Sequence, residues 1–319
     1  MSNDFDKDLL ELEAKIDELK AFAQSKNIDM RPELTKLEGK ADELRKTLYG
    51  KMGAWQVVQL MRRPDRPRSL DYCERLLTDW IEIHGDHMMA DDKSLVTGFG
   101  RLDGRRVAVL GNQKGRDTKE NLARNFGMAQ PEGYRKALRF MKLAEKFGLP
   151  IISFIDIMGA YPGIEGEERS VAEAIARNLA EMSLFRVPIV VAVIGEGGSG
   201  GAIGIGVGDR IVMLENGFYS VISPEGCAAI LWRDRNKAEQ AAEALKGTAR
   251  DLLKMKIIDE VVPEPLGGAH RDPAATAASL KAVLMRHIDE LSAFDADELV
   301  RRRYAKFRAM GSWQEIGAA

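Results

Sequence analysis

Apolar residues in the middle of the chain occur in short uninterrupted runs, which are separated in several places by segments of helical periodicity. The runs cover residues 107–111, 150–156, 187–194, 211–214, 219–223 and 257–262. Continuous runs rich in β-branched residues are typical of strands buried on both faces. Helices are predicted over 133–147 and along the stripe Val171, Ile175, Leu179 and Met182. This alternation predicts an α/β domain with parallel strands over residues 93–263.

The two ends of the chain have a different pattern. Residues 1–48 carry two stripes of large apolar residues at spacings of three and four, which predict an amphipathic helical hairpin. Near the other end lies the basic patch Arg301, Arg302 and Arg303. We expect both features to hold partners. The predicted divisions are an N-terminal helical arm over 1–30, a main domain over 31–292 and a basic helical tail over 293–319.

The run 187–194 ends in the most unusual stretch of the chain, 195–201, in which five of seven residues are glycine. Residues 202–208 can then form only a short helix, and glycine costs about 1 kcal/mol per helical position relative to alanine. We expect a ligand and neighbouring backbones to approach this turn closely, with its N–H groups exposed at a helix start.

A second turn of small residues, 158–163, follows the run 150–156. Because ligands bind at the carboxyl ends of parallel strands, the two turns are predicted to converge on one pocket. Two turns lined by amides are what an oxyanion hole requires. The predicted catalytic residues are Gly197, Gly198, Gly200, Gly201, Gly159 and Ala160. The candidates for substrate binding are Lys114, Arg116, Lys119 and Tyr161.

Two other functions fit the same glycine-rich stretch. Residues 195–200 match the dinucleotide fingerprint G-x-G-x-x-G, with Glu215 ending the next strand. Against it, eight residues separate Gly200 from Asp209, too few for a nucleotide-binding helix. Residues 197–201 match G-x-S-x-G, which makes Ser199 a candidate hydrolase nucleophile with Asp259 and His270. Glycine on both sides of Ser199 holds such a nucleophile poorly, but this alternative stays open.

Composition narrows the class of protein. The formal net charge of −2 argues against nucleic acid as the main partner. No apolar run approaches 18 residues and no signal peptide is evident, so we expect a cytoplasmic protein without a membrane segment. Two cysteines are too few for a zinc site or a disulfide framework, and the pair His84 and His87 lacks a third ligand nearby. A separate basic segment spans residues 62–68.

Several motifs together resemble the α-subunit family of bacterial acetyl-coenzyme A carboxylase carboxyltransferases. The resemblance covers nearly the whole chain. Its segments are 115–116, 125–128, 131–137, 159–163, 195–201, 223–227 and 263–270. One departure is Ile157-Met158, where that family usually has Thr-Pro before the first turn.

The resemblance implies a crotonase-like (ClpP/crotonase) superhelix of ββα units with an N-terminal helical arm. It implies transfer of a carboxyl group from carboxybiotin, held on a separate carrier protein, to acetyl-CoA. The product is malonyl-CoA, in the first committed step of fatty acid synthesis. The implied partners are a β subunit that carries zinc and most CoA contacts in an α2β2 complex, the biotin carboxyl carrier protein and biotin carboxylase. The implied share of this chain is the biotin side, without a metal.

Overall fold

The computed structural model describes residues 4–311, so the predictions for residues 1–3 and 312–319 lie outside the described residues. The strands are β1 Leu77–Glu82, β2 Leu95–Leu102, β3 Arg105–Asn112, β4 Ile151–Ile157, β5 Ile189–Gly198, β6 Arg210–Leu214, β7 Phe218–Ser220 and β8 Glu260–Val262. The helices are α1 Lys7–Lys26, α2 Arg31–Tyr49, α3 Ala54–Met61, α4 Ser69–Leu76, α5 Thr118–Ala123, α6 Pro131–Lys146, α7 Ile164–Glu168, α8 Val171–Met182, α9 Ser199–Ile203, α10 Pro224–Trp232, α11 Ala238–Leu245, α12 Ala249–Lys254, α13 Pro273–Ser292 and α14 Ala296–Arg308.

All these strands form one mixed sheet with the order β1-β2-β3-β4-β5-β6-β8, and β7 pairs with the end of β5. The part from β3 to β8 is parallel, as the sequence predicts. The prediction of parallel strands is wrong on the β1 side of the sheet, where β1, β2 and β3 pair antiparallel. Asp103 and Gly104 both have positive φ and form the two-residue turn that reverses the chain between β2 and β3.

The central strands are buried along their whole length because helices cover both faces of the sheet. Every residue of β4 and β5 is buried. On one face these strands pack with α6 and α8, and on the other with α4 and α13. This two-sided burial is the physical reason for the uninterrupted apolar runs. Because β3, β4 and β5 are parallel, their carboxyl ends lie side by side. We call this end of the parallel strands the carboxyl edge and the opposite end the amino edge.

The predicted helical hairpin is confirmed as α1 and α2. The left-handed Asn27 ends α1, and the two helices then pack on each other. Their apolar stripes form one cluster that includes Leu9, Ile16 and Tyr49 and extends to Leu60 of α3. The hairpin therefore buries part of its stripes within this chain, while Phe22 near the end of α1 is 49% exposed. The predicted boundary at residue 30 separates α1 from α2.

Candidate functional site

The two turns of small residues contact each other at the carboxyl edge of the sheet. A Cβ atom built on Gly201 would lie 2.5 Å from the Ala160 nitrogen and 2.6 Å from the Gly159 carbonyl carbon. One built on Gly198 would overlap the carbonyl oxygen of Met158. Glycine is needed at these two positions because the backbone of the first turn packs directly against them.

Two further glycines of these turns, Gly200 and Gly159, have room for a side chain. A Cβ atom on Gly200 would meet only the Ile175 Cδ1 atom, at 3.6 Å, and one on Gly159 would meet nothing within 4 Å. Both positions are partly exposed. The close approach predicted for the glycine-rich stretch is thus an approach of neighbouring backbone at Gly198 and Gly201, while Gly159 and Gly200 face open space.

Not every amide of the turns is available to a ligand. Gly197 and Gly198 are still part of β5 and pair with Tyr219 and Ser220 of β7. Within residues 4–311, the N–H groups of Gly159 and Ala160 donate no hydrogen bond to another residue. The N–H groups of the first turn of α9, from Ser199 to Gly201, precede any intrahelical acceptor. Donors to a ligand are therefore available at the start of α9 and at the first turn.

A cluster of charged side chains lies at the ends of β4 and β5, next to the two turns. Asp156 is the penultimate residue of β4, and its Oδ1 atom accepts a hydrogen bond from Lys114 Nζ at 2.6 Å. Lys114 Nζ also lies 3.9 Å from Glu196 Oε2. Arg62 donates to Glu196 Oε1 at 2.7 Å and to Glu225 Oε1 at 2.6 Å. Burial opposes the charge of Arg62, but these two carboxylates raise the pKa of its guanidinium above the ordinary value.

Asp156 also joins the two strands where their pairing is irregular. Ile155 pairs with Val193 but Ile157 pairs with Gly197, so β5 has two extra residues at this point. The Asp156 Oδ1 atom accepts the N–H of Glu196 at 3.1 Å within this bulge. A Cβ atom on Gly195 would lie 2.5 Å from the same oxygen. The carboxylate thus fixes β5 to β4 immediately before both turns.

A second ion pair ties the loop after β8 to the same edge. Arg66 donates two hydrogen bonds to the Glu264 carboxylate, at 2.8 and 2.9 Å. Glu264 also accepts the N–H groups of Asn216 and Ala269. Burial alone would raise the pKa of Glu264, but the Arg66 charge outweighs it and lowers that pKa. The pair is fully enclosed, so its role here is to hold the loop in place.

The predicted binding residues are divided by the structure. Lys114 belongs to the charged cluster under the turns. The side chain of Arg116 is exposed and pairs with Asp71 of α4, and Lys119 is exposed on α5. The ring of Tyr161 covers Gly163 and Gly166, while its N–H donates to the Ala129 carbonyl at 3.0 Å. Of these three basic residues, only Lys114 contacts the strand ends that precede the two turns.

Sequence reasoning missed Asp156, Glu196 and Arg62 as members of the site. Two of them carried a usable signal, since Asp156 is the acid that closes the run 150–156 and Glu196 lies two residues after the run 187–194. Because parallel strands end at the same edge, acids in these positions are expected to lie close together. Arg62 had no comparable signal, because its position depends on how α3 packs onto the sheet.

The hydrolase residues are not brought together. Asp259 lies at the amino edge, where its carboxylate accepts the Ile211 N–H and pairs with Lys306. Ser199 follows the carboxyl end of β5, which is parallel to β6, so the two residues lie at opposite edges of the sheet. Burial is the main cause that lowers the pKa of His270, to about 4. Neither ring nitrogen of His270 has a hydrogen-bond partner in the described part of the chain.

The dinucleotide pattern also lacks its structural context. The helix that follows the turn, α9, has only five residues. Glu215 is paired with Arg250 at 3.3 Å. Between residues 4 and 311 no group of three or more His, Cys, Asp or Glu side chains could hold a metal ion. Over the same residues, no helix has the length and apolar character needed to cross a membrane.

Comparisons with known proteins show the family of this chain. The family described as "Acetyl co-enzyme A carboxylase carboxyltransferase-like" matches residues 2–311. An acetyl-coenzyme A carboxylase carboxyl transferase subunit alpha from Gloeobacter violaceus is 54% identical over 315 residues, which are 99% of this chain and 97% of the relative. A subunit of the same name from Syntrophotalea carbinolica is 55% identical over 313 residues, covering 98% of each chain. These similarities extend over nearly the entire length of both relatives.

Solved structures with a similar fold include the transcarboxylase 12S, with a TM-score of 0.55 and 19% identity. The match covers 71% of this chain and 44% of the transcarboxylase chain. At this identity the likeness establishes the fold alone. It confirms the crotonase-like fold that the sequence resemblance implies.

Proposed function

The chain belongs to the acetyl-coenzyme A carboxylase carboxyltransferase family, as an α subunit, and from this premise we propose that its two contacting turns form the biotin side of the active site. The activity is transfer of a carboxyl group from carboxybiotin to acetyl-CoA, which gives malonyl-CoA. The observation that carries this conclusion is identity of 54% over nearly the full length of both chains. The hydrolase alternative has no support, because Ser199, Asp259 and His270 are not assembled.

Both halves of this reaction develop negative charge on an oxygen. One is the enolate oxygen of the acetyl thioester, and the other is the ureido oxygen of biotin. Fixed N–H groups stabilise such charge without a titratable side chain. We assign this role towards the ureido oxygen to the amides of Gly200 and Gly201 together with those of Gly159 and Ala160. Their support is that the two turns touch and that the Gly159 and Ala160 N–H groups have no acceptor within the described residues.

The charged cluster acts by positioning these amides. Asp156 accepts both Lys114 Nζ and the Glu196 N–H, so it fixes the ends of β4 and β5 relative to each other. Since the turns begin two or three residues later, movement of either strand end would separate the donors. Lys114 and Asp156 are thus positioning residues. Tyr161 remains a proposed substrate contact at the rim of the first turn.

The partners follow from the same assignment. We propose an α2β2 complex in the cytoplasm in which the β subunit carries zinc and most contacts to CoA, with carboxybiotin delivered by the carrier protein and regenerated by biotin carboxylase. Support comes from the family, whose members are named as subunits, and from the absence of a candidate metal group in residues 4–311.

The division of labour can be tested with purified components. Malonyl-CoA decarboxylation in the presence of free biotin is measured for this chain alone, for a β subunit alone and for the mixture, together with zinc content. We expect activity only in the mixture and zinc only in the β subunit. Robust activity of this chain alone, or stoichiometric zinc bound to it, would contradict the proposal.

A further inference from the structure

A separate cavity of about 160 Å³ lies between the basic segment 62–68 and the carboxyl ends of the central strands. The side chains and backbone that line it belong mainly to residues 61–68, with Lys114, Asp156 and Gly195 on the opposite wall. None of the proposed amide donors, at Gly159, Ala160, Gly200 and Gly201, lines it. The cavity shares Lys114 and Asp156 with the charged cluster beside the site assigned to biotin but contains none of its amide donors, and of the basic segment only Arg62 belongs to that cluster.

Most of the cations around this cavity are already paired with carboxylates. Arg62 pairs with Glu196 and Glu225. Arg63 pairs with Asp65 at 2.9 Å and Arg66 with Glu264 at 2.8 Å. These charges are neutralised locally and need no further ligand.

Arg68 is the exception. This residue is only 6% exposed. In the described part of the chain, its guanidinium forms no salt bridge and donates a single hydrogen bond, from Nη2 to the Pro64 carbonyl at 2.8 Å. A guanidinium has five N–H donors and keeps its charge in proteins. Because Arg68 is largely buried and forms no salt bridge among the described residues, an anion in the cavity would stabilise its charge.

The nearest carboxylates are taken up by other groups. Asp71 accepts the Arg68 backbone N–H at 2.9 Å, but its other oxygen pairs with the Arg116 side chain. Asp156, the carboxylate on the cavity wall, is neutralised by Lys114 at 2.6 Å. Burial is the main cause that lowers the pKa of Arg68 from its ordinary value. The environment of Arg68 thus disfavours its charge as it stands.

We propose that this cavity binds a small oxyanion of the carboxylate or phosphate type on the guanidinium of Arg68. Two parallel N–H groups of a guanidinium match two oxygens of such an ion, and these bonds are among the strongest in proteins. The volume suits a small ion, because pockets for drug-sized ligands start at about 300 Å³. Asp156 does not repel the anion because Lys114 compensates its charge.

The test is a calorimetric titration of the full-length chain with acetate, bicarbonate or inorganic phosphate, at constant ionic strength set by sodium chloride. We expect one-site binding of at least one of these oxyanions, and their comparison identifies the preferred chemistry. In Arg68→Gln the affinity should fall at least tenfold, since a hydrogen-bonded charge is lost. The matched control is Arg75→Gln, an exposed arginine on α4, which should bind as the native chain does.

Three results would overturn the proposal. They are no saturable binding of any of the three ions to the native chain, equal affinity in Arg68→Gln, and equal losses in Arg68→Gln and Arg75→Gln. If Arg68→Gln does not fold, Arg68→Lys replaces it, because lysine keeps the charge but lacks the fork of donors. Weakened binding by Arg68→Lys supports the site, and unchanged binding contradicts it.

Discussion

Arg303 at the amino edge and Arg68 at the carboxyl edge are both buried, but only Arg303 is fully paired. At the amino edge, Arg303 of α14 is 1% exposed and all five of its N–H groups have acceptors. Two bonds go to Asp209, at 2.9 and 2.8 Å, and the others to the carbonyls of Met182, Phe185 and Val187. Asp209 in turn accepts the Ile189 N–H at 2.8 Å. All N–H donors of Arg303 are thus satisfied within the chain, and we call the amino edge the closed edge for this reason.

The carboxyl edge has similar components in an open arrangement. Lys114 is shared between Asp156 and Glu196, at 2.6 and 3.9 Å, and Arg68 has one backbone acceptor among the described residues. The amides of the first turn are also without acceptors there. A fully paired ion contributes to folding and leaves nothing for a ligand, whereas unused donors at an open edge are what binding and catalysis need. The closed edge should therefore control stability and the open edge activity.

The largest effect is expected from opening the closed edge. Arg303→Met leaves the Asp209 carboxylate buried without its partner, and breaking such a pair costs about 3–5 kcal/mol. We expect a decrease of this size in the free energy of unfolding, measured by urea denaturation. The control is Arg302→Met, whose side chain is 57% exposed and pairs with Glu298, so its effect should stay below about 1 kcal/mol.

An equal, small effect of both substitutions would show that the ion pair at the amino edge is not what holds α14 to the sheet. The basic patch 301–303 is predicted to hold a partner. That prediction is wrong for Arg303, which is buried within this chain.

The next effect concerns the open edge and should appear in turnover. Gly201→Ala places a Cβ atom 2.5 Å from the Ala160 nitrogen, which forces the two turns apart. Loss of one oxyanion donor lowers turnover about 10²- to 10³-fold, and we expect a decrease of this order in the reconstituted complex. Gly39→Ala is the matched control, because a Cβ atom on this glycine of α2 would meet nothing within 4 Å, and its turnover should stay within about tenfold of native.

Complex mass is measured alongside turnover, so that loss of assembly is not mistaken for loss of catalysis. Equal turnover in the two variants, in intact complexes, would contradict the assignment of the contacting turns to the reaction.

Different parts of this comparison were accessible from the sequence to different degrees. The strands β4 and β5 and the approach at Gly198 and Gly201 could be predicted, because two-sided burial and glycine-rich turns leave direct marks in the pattern. The antiparallel β1 and β2 could not, since Gly98 and Gly100 of β2 serve to pack against Trp80 and Leu77 and weaken the strand pattern. The pairing of Arg303 with Asp209 joins residues far apart in the chain, and no local pattern marks it.

The smallest effect on turnover is expected from the side chain of Ser199, which lies at the carboxyl edge. Its backbone has φ 52 and its side chain is exposed. Alanine keeps the Cβ atom in this left-handed conformation, so Ser199→Ala removes the hydroxyl and leaves the backbone strain unchanged. A neutral hydrogen bond contributes about 1 kcal/mol, so turnover should remain within about tenfold of native. A serine-reactive phosphonate should not label the protein, because His270 makes no hydrogen bond to the hydroxyl and Asp259 lies at the opposite end of the strands. Stoichiometric labelling at Ser199, or a collapse of turnover in an intact Ser199→Ala complex, would mean that a side chain does work assigned here to main-chain amides.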